Sequence, residues 1–200
     1  AIVSSVYGPG DDSPIAQLIE HHLAGHTMAY LDREAGYTFT YVEDVASGLL
    51  NAYEEGNPGE EYMISGEPAT FEDFFTALSE QSGVSEPRFE LSDWLVDAVQ
   101  PVLEAGASFF GGDSSEIDEM IQMGRNVTRF FSGEKTRSEL NWEPRSLEEG
   151  LRKTVPWFGR KEYEKSRQLL SQLQTPLVGL TVFDVGLGLT ATFLPDLYEK

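Results

Sequence analysis

Ser4, Ser5 and Tyr7 bring three hydroxyls to the end of a short apolar run, directly before the turn Gly8-Pro9-Gly10. Proline holds φ and glycine accepts positive φ, so the chain reverses sharply after Tyr7. Ligands of open α/β sheets lie beyond the carboxyl ends of the strands. Hydroxyls at such an edge are placed to hydrogen-bond a small molecule, although a plain strand-to-helix turn accounts for the same residues. Other chemistries find less support. The chain has no cysteine, which excludes a thiol nucleophile, a Cys-ligated zinc and a disulfide framework. His22 and His26 share a helix face at i, i+4, but no third ligand accompanies them, so His21, His22 and His26 read as surface residues. Gly186-Leu187-Gly188-Leu189-Thr190-Ala191 fits G-x-G-x-x-A. A dinucleotide site would need a complete βαβ unit and an acidic residue about twenty positions on, and the run to Lys200 does not provide them.

The elements that must position these residues alternate. Ala1 to Val6 reads as a buried strand. Ser13-Pro14 opens a helix through about Ala24, with Ser as N-cap and Pro in the first turn. Tyr37 to Val42 is strand-like, and a helix follows from about Asp44 to Glu54. Further strands are expected at Glu60 to Ser65, Arg88 to Leu91 and Thr128 to Phe131. Thr70 and Asp73 have capping-box spacing at the head of a helix reaching Gln81, and Ser146-Leu147-Glu148-Glu149 repeats the signature. Residues 92–124 read as helical with a break at Gly111-Gly112-Asp113. Helices are also expected at Gly133 to Leu140, Ser146 to about Trp157, and Lys161 to about Gln174. Phe74-Phe75 and Phe109-Phe110 read as core, and Trp94 as a residue of a variable lobe. Strands alternating with helices of about ten residues point to an α/β fold with parallel strands.

The 200 residues carry 34 acidic and 14 basic side chains, a formal net charge of −20. That balance argues against DNA or RNA as a partner, because phosphate binding needs a basic footprint. A hydrophobic fraction of 40% and an aromatic fraction of 12% exclude global disorder. The acid is dispersed rather than gathered in a tail, which reads as salt adaptation. Residues 145–167 form one short stretch of +3. It precedes Leu177 to Leu194, 18 residues whose single charge is Asp184. A membrane-inserted or membrane-lying segment, a core helix and part of a further domain all remain open for that run. Ala1-Ile2-Val3 enters directly on an apolar strand with no signal-like region, and reads as the interior of a larger protein.

Several motifs recur in one order: Val6-Tyr7-Gly8-Pro9-Gly10, Tyr41-Val42-Glu43-Asp44-Val45-Ala46, Ile64-Ser65-Gly66, Ser132-Gly133-Glu134-Lys135, Glu139-Leu140-Asn141-Trp142-Glu143-Pro144 and Ser146-Leu147-Glu148-Glu149-Gly150-Leu151. Together they resemble the C-terminal half of extended short-chain dehydrogenase/reductases, the NAD-dependent epimerase/dehydratase family, and within it the dihydroflavonol-reductase-like and 3β-hydroxysteroid-dehydrogenase-like branch. The resemblance covers roughly residues 1–158. It implies the C-terminal part of a Rossmann-like parallel sheet with a small mixed α/β substrate-binding lobe. It implies NAD or NADP as cofactor, with Val3 and Ser4 at the nicotinamide end, largely through backbone. Ser5 and Tyr7 would lie on the substrate side. Asp44 would be structural, as helix N-cap and dipole partner.

The departures from the pattern carry weight. Ile2-Val3 stands where the family usually has Arg-Pro. Tyr37 stands where nucleotide-sugar enzymes often carry an Arg, and Tyr offers no charged bidentate fork. No Tyr here has Lys four residues on, so the family's catalytic Tyr-x-x-x-Lys and its glycine fingerprint are absent, and the 200 residues alone are expected to be inactive. The expectation is the substrate-binding half of an NAD(P)-dependent oxidoreductase or epimerase acting on a hydroxyl or carbonyl of a small molecule. The alternatives are a non-catalytic nucleotide-binding or assembly module of the same fold, and a nucleotide-sugar epimerase/dehydratase. By region, 1–158 holds the strands and lobe, 159–174 a charged helix or linker, and 175–200 an apolar terminal segment. No metal is expected. Cytoplasmic placement, membrane contact through 175–200 and a homodimer complete the expectations.

Overall fold

The computed structural model describes residues 1–27, 29–98, 100–101, 121–125 and 127–172. The first apolar run forms two short strands rather than one: β1 (Ile2–Val3) and β2 (Ser5–Tyr7). Each has a different parallel partner. β1 lies beside β5 (Met63–Ile64), and β2 beside β4 (Gly36–Tyr41). The switch falls at Ser4, whose amide donates to the Ile64 carbonyl at 3.2 Å.

Helix α1 (Pro14–Leu23) starts as its sequence dictates. Asp11 accepts the Ser13 amide and hydroxyl, both at 2.9 Å, and Ser13 Oγ accepts the Ile15 amide at 3.2 Å. Helix α2 (Val42–Glu55) begins two residues before the expected Asp44. Its N-cap is Tyr41, which makes no side-chain cap. Asp44 is therefore a first-turn acid that suits the helix dipole, not the N-cap.

Two strands were not visible as alternating runs. β3 (Ala29–Tyr30) pairs in parallel with β7 (Phe89–Glu90). β6 (Glu67–Thr70) pairs antiparallel with β4. Gly36 permits that second pairing, because a Cβ there would overlap the Ala69 carbonyl. β8 (Thr128–Arg129) runs parallel to the start of β4, with Tyr37 opposite Arg129.

Helix α3 (Phe71–Ser82) carries the full Thr70–Asp73 capping box. α4 (Glu134–Leu140) follows β8. α5 (Leu147–Gln172) is continuous through Pro156, where two helices were expected. Helical turns also occur at 93–98 and 121–124. Gly111 to Asp113, Phe109-Phe110, the Gly186 run and segment 175–200 lie outside the described residues. No helix among the described residues is long and apolar enough to cross a membrane.

The core lies between the sheet and helices α1, α3 and α5. Ile19, Phe39, Phe74, Leu78 and Leu151 are all at least 98% buried in it. Each such side chain contributes roughly 1.5–3 kcal/mol. Phe39 stacks on Phe74 at 4.7 Å between ring centroids. His22, expected on the surface, is wholly buried in this layer beside Phe75. A smaller cluster of Tyr62, Ile64, Leu140 and Trp142 ties α4 to the β1–β5 pair.

Candidate functional site

Alternation along paired strands decides which residues share a face. The registers Ser5–Phe39, Tyr7–Tyr41 and Tyr37–Arg129 place Ser5, Tyr7, Tyr37, Phe39, Tyr41 and Arg129 on the helix-covered face. Val6, Thr38 and Thr40 point the other way. Where α1 begins and residues 121–124 pass over, this face is not filled. A cleft of about 420 Å³ opens there, lined by Ser5, Asp11, Ser13, Tyr37, Gln122 and Arg129 among others.

Tyr37 is the rigid wall of the cleft. Its ring is 94% buried, its hydroxyl donates to the Met123 carbonyl at 3.0 Å, and the Arg129 guanidinium lies 6.0 Å from its ring centre. Burial raises the Tyr37 pKa above the ordinary phenol value, while the Arg129 charge opposes that shift. Both Asp11 oxygens already accept from Ser13. Arg129 is exposed and has no ion-pair partner among the described residues.

A second cleft of about 430 Å³ lies by Asp44, Glu143, Arg145, Glu149, Arg152 and Lys153. Its charges are matched internally. Arg145 pairs with Asp44 at 2.9 Å and with Glu43 at 3.1 Å, Lys153 with Glu43, and Arg152 with Glu149. The Arg145 guanidinium also covers the Tyr41 ring at 4.2 Å. This is a clamp between α2 and the start of α5, so Asp44 is structural through Arg145. The sequence pointed to Asp44 but not to Arg145, whose only signal was its place in the +3 stretch. Lys161 of the same stretch pairs with Glu20 of α1 at 2.6 Å.

The expected site residues separate. Ser5 lines the first cleft. Tyr7 is 99% buried; its hydroxyl donates to the Leu147 carbonyl at 3.2 Å, and its ring packs edge-on against Phe39 and Tyr41. Burial, and next the Asp44 charge, lift the Tyr7 phenol far above its usual range. Ser4 Oγ lies 2.6 Å from Thr40 Oγ1 inside the sheet, and Thr40 Oγ1 also accepts the Gly66 amide. The Ser4 hydroxyl is thus engaged within the sheet. Val3 is 37% exposed, and among the described residues β1 pairs only with β5. Among the described residues no cluster of His, Asp or Glu could hold a metal. Tyr37 and Arg129 were missed as a site pair, since their meeting depends on a strand register across 92 positions.

Residues 1–65 match the model of the NAD dependent epimerase/dehydratase family. The 3beta-hydroxysteroid-dehydrogenase/decarboxylase isoform 3 of Arabidopsis thaliana is 27% identical over 179 residues, covering 84% of this chain and 32% of the relative. These matches support the NAD dependent epimerase/dehydratase family. The crystal structure of gox2253 aligns with a TM-score of 0.60 at 31% identity, over 80% of this chain and 48% of that one. UDP-glucuronic acid 4-epimerase from Bacillus cereus, solved with UDP-glucuronic acid and NAD, aligns with a TM-score of 0.55 at 22% identity, over 80% and 44%. That likeness establishes the Rossmann-type fold common to epimerases and short-chain dehydrogenases. The chain spans about a third to about a half of the length of these relatives.

Proposed function

We propose that the chain forms the substrate-side part of an NAD(P)-dependent oxidoreductase or epimerase that acts on a hydroxyl or carbonyl of a small molecule. The observation that carries this reading is the cleft over Ser5, Tyr37 and Arg129. It is walled by a buried aromatic ring, offers the Ser5 hydroxyl within a largely apolar lining, and lies within two residues of strand β1, which the family resemblance would set beside the nicotinamide. The bound nicotinamide supplies hydride exchange. The chain's own residues bind and orient. Val3 and the Ser4 main chain would face the nicotinamide end. Ser5 offers a hydroxyl to the substrate, and Tyr37 excludes water from one side.

Acid–base work in this reading falls to the family's Tyr-x-x-x-Lys pair, which none of the 200 residues supplies. The NAD that the Bacillus epimerase holds favours NAD as the cofactor. The decisive experiment has two parts. The coding sequence upstream of Ala1 is read for a glycine fingerprint and Tyr-x-x-x-Lys. The polypeptide it encodes is then assayed with NAD(H) and NADP(H) against alcohols and carbonyls. Ser5→Ala is expected to raise KM several-fold while changing kcat less, because it removes a binding contact rather than the proton donor. Turnover by the isolated 200 residues, or the absence of both upstream motifs, would overturn the proposal.

A further inference from the structure

We infer that Thr40 is a positioning residue that fixes the cofactor-side strands relative to the substrate cleft. The inference rests on reading β1 as the nicotinamide side and the cleft over Ser5 as the substrate site, and it goes further by naming the residue that sets the geometry between them.

The chain passes twice from the β1–β5 pair to the sheet around β4. It leaves β1 at Ser4 to enter β2, and it leaves β5 at Ser65 and Gly66 to enter β6. Thr40 of β4 meets both crossings. Its Oγ1 lies 2.6 Å from Ser4 Oγ and accepts the Gly66 amide at 2.8 Å. Thr40 is wholly buried, and Ser4 is buried with it. Other buried threonines do less. Among the described residues Thr38 Oγ1 bonds only to Phe131, Thr136 Oγ1 to the Met63 carbonyl, and Thr154 Oγ1 to the Gly150 carbonyl of its own helix. Only the Thr40 hydroxyl ties the two crossings to one point.

The second crossing is built around this contact. A Cβ at Gly66 would overlap the Phe39 carbonyl, so glycine is what lets the chain approach β4 so closely. Arg137 holds the same turn through the Ser65 and Gly66 carbonyls, at 3.4 and 3.1 Å. At the first crossing Ser4 stands between Val3 of β1 and Ser5 of the cleft. Alternation along β4 turns Thr40 away from the face that carries Ser5 and Tyr37. Thr40 therefore acts through Ser4 and Gly66 rather than by touching a reactant. Transfer between two bound reactants needs a short, aligned gap, and a misplacement of about 1 Å costs roughly a hundredfold in rate. A residue that fixes the step between their two binding surfaces governs the rate of transfer more than the affinity for either.

The test follows nicotinamide reduction in single turnovers of the full-length polypeptide, with NAD or NADP and a panel of primary and secondary alcohols, sugars among them. Wild type is compared with Thr40→Val, Thr40→Ser and Ser4→Ala. Valine keeps the branched shape of threonine and removes the hydroxyl. Thr40→Val is expected to slow the single-turnover rate roughly tenfold, while KM for the alcohol changes by about twofold or less. Thr40→Ser restores the oxygen and should recover most of the rate. Ser4→Ala cuts the link to the first crossing alone and should slow the reaction in the same sense. The double variant Ser4→Ala/Thr40→Val should be scarcely slower than Thr40→Val, because both changes break one contact. Every rate is read well below the variant's melting temperature, so loss of folded protein does not enter. If Thr40→Val does not fold, Ser4→Ala against wild type decides. A purely structural role would lower the melting temperature and leave these rates unchanged, which overturns the inference. A rise in KM at an unchanged rate overturns it too, as does a slow Thr40→Ser. In each of those cases wild-type turnover stands, and so does the substrate-cleft reading. No nicotinamide reduction by the wild type with any alcohol would remove that reading, and this inference with it.

Discussion

His22 shows how one residue's surroundings reverse its expected behaviour. Helical spacing put it beside His26 on what looked like a solvent face. The fold seals it between α1 and α3, with Nε2 3.3 Å from Ser79 Oγ. Burial lowers its pKa from 6.5 to about 4. Between those values the unfolded chain takes up a proton that the folded chain refuses. Stability therefore falls as pH drops from about 6.5 toward about 4, and this contribution levels off below. The loss is on the order of 3 kcal/mol. Urea midpoints measured against pH for the wild type and His22→Gln should show a shallower acid slope in the variant. Parallel slopes would mean that His22 ionises freely in the folded protein.

The contact between β2 and α5 is set at the scale of elements. Tyr7 closes the N-terminus of α5 through the Leu147 carbonyl, and α5 approaches so closely that a Cβ at Gly150 would overlap the Tyr7 hydroxyl. Gly150→Ala is expected to cost on the order of 1–3 kcal/mol, from overpacking and from the displaced hydrogen bond. Denaturant unfolding should show a lower midpoint with an unchanged m-value. Adding Tyr7→Phe should recover part of the loss, a coupling that a double-mutant cycle reads directly. Strict additivity of the two changes would argue that α5 sits farther from β2. The Asp44–Arg145 clamp reinforces the same contact from the other side of Tyr41. The caps that start α1 and α3 were legible in the sequence because Ser13, Pro14, Thr70 and Asp73 act within four residues of one another. The start of α2 was not legible, since Tyr41 uses no side-chain cap.

Charge is a property of the whole molecule. A net charge of −20 over 200 residues sets carboxylates against one another at low ionic strength, where the Debye length is about 30 Å at 0.01 M. We propose that the acidic surface is an adaptation to salt, and expect the melting temperature to rise between 0.01 M and 1 M sodium chloride as repulsion is screened. The ion pairs of Arg145, Lys153 and Lys161 to Glu43, Asp44 and Glu20 weaken under the same conditions, so the sign of the change reports which effect dominates. A falling melting temperature would count against salt adaptation. The basic stretch 145–167, conspicuous in the sequence as the flank of an apolar segment, has three of its cations in these pairs.

The sequence by itself determined the α/β class, the helix starts marked by local caps, and the aromatic core at Phe74 and Phe75. Those features follow from hydrogen bonds and periodicities that close within a few residues. Tertiary structure alone decided that Tyr7 is core while Ser5 is cleft, that His22 is buried, and that Arg129 stands beside Tyr37. Each of these depends on a register or a packing distance between elements far apart in the chain. A one-residue slip of β8 against β4 would turn Arg129 to the opposite face, and the bonds that hold the register, Gly36 N–H to the Val127 carbonyl and Phe131 N–H to Thr38 Oγ1, join residues more than 90 positions apart.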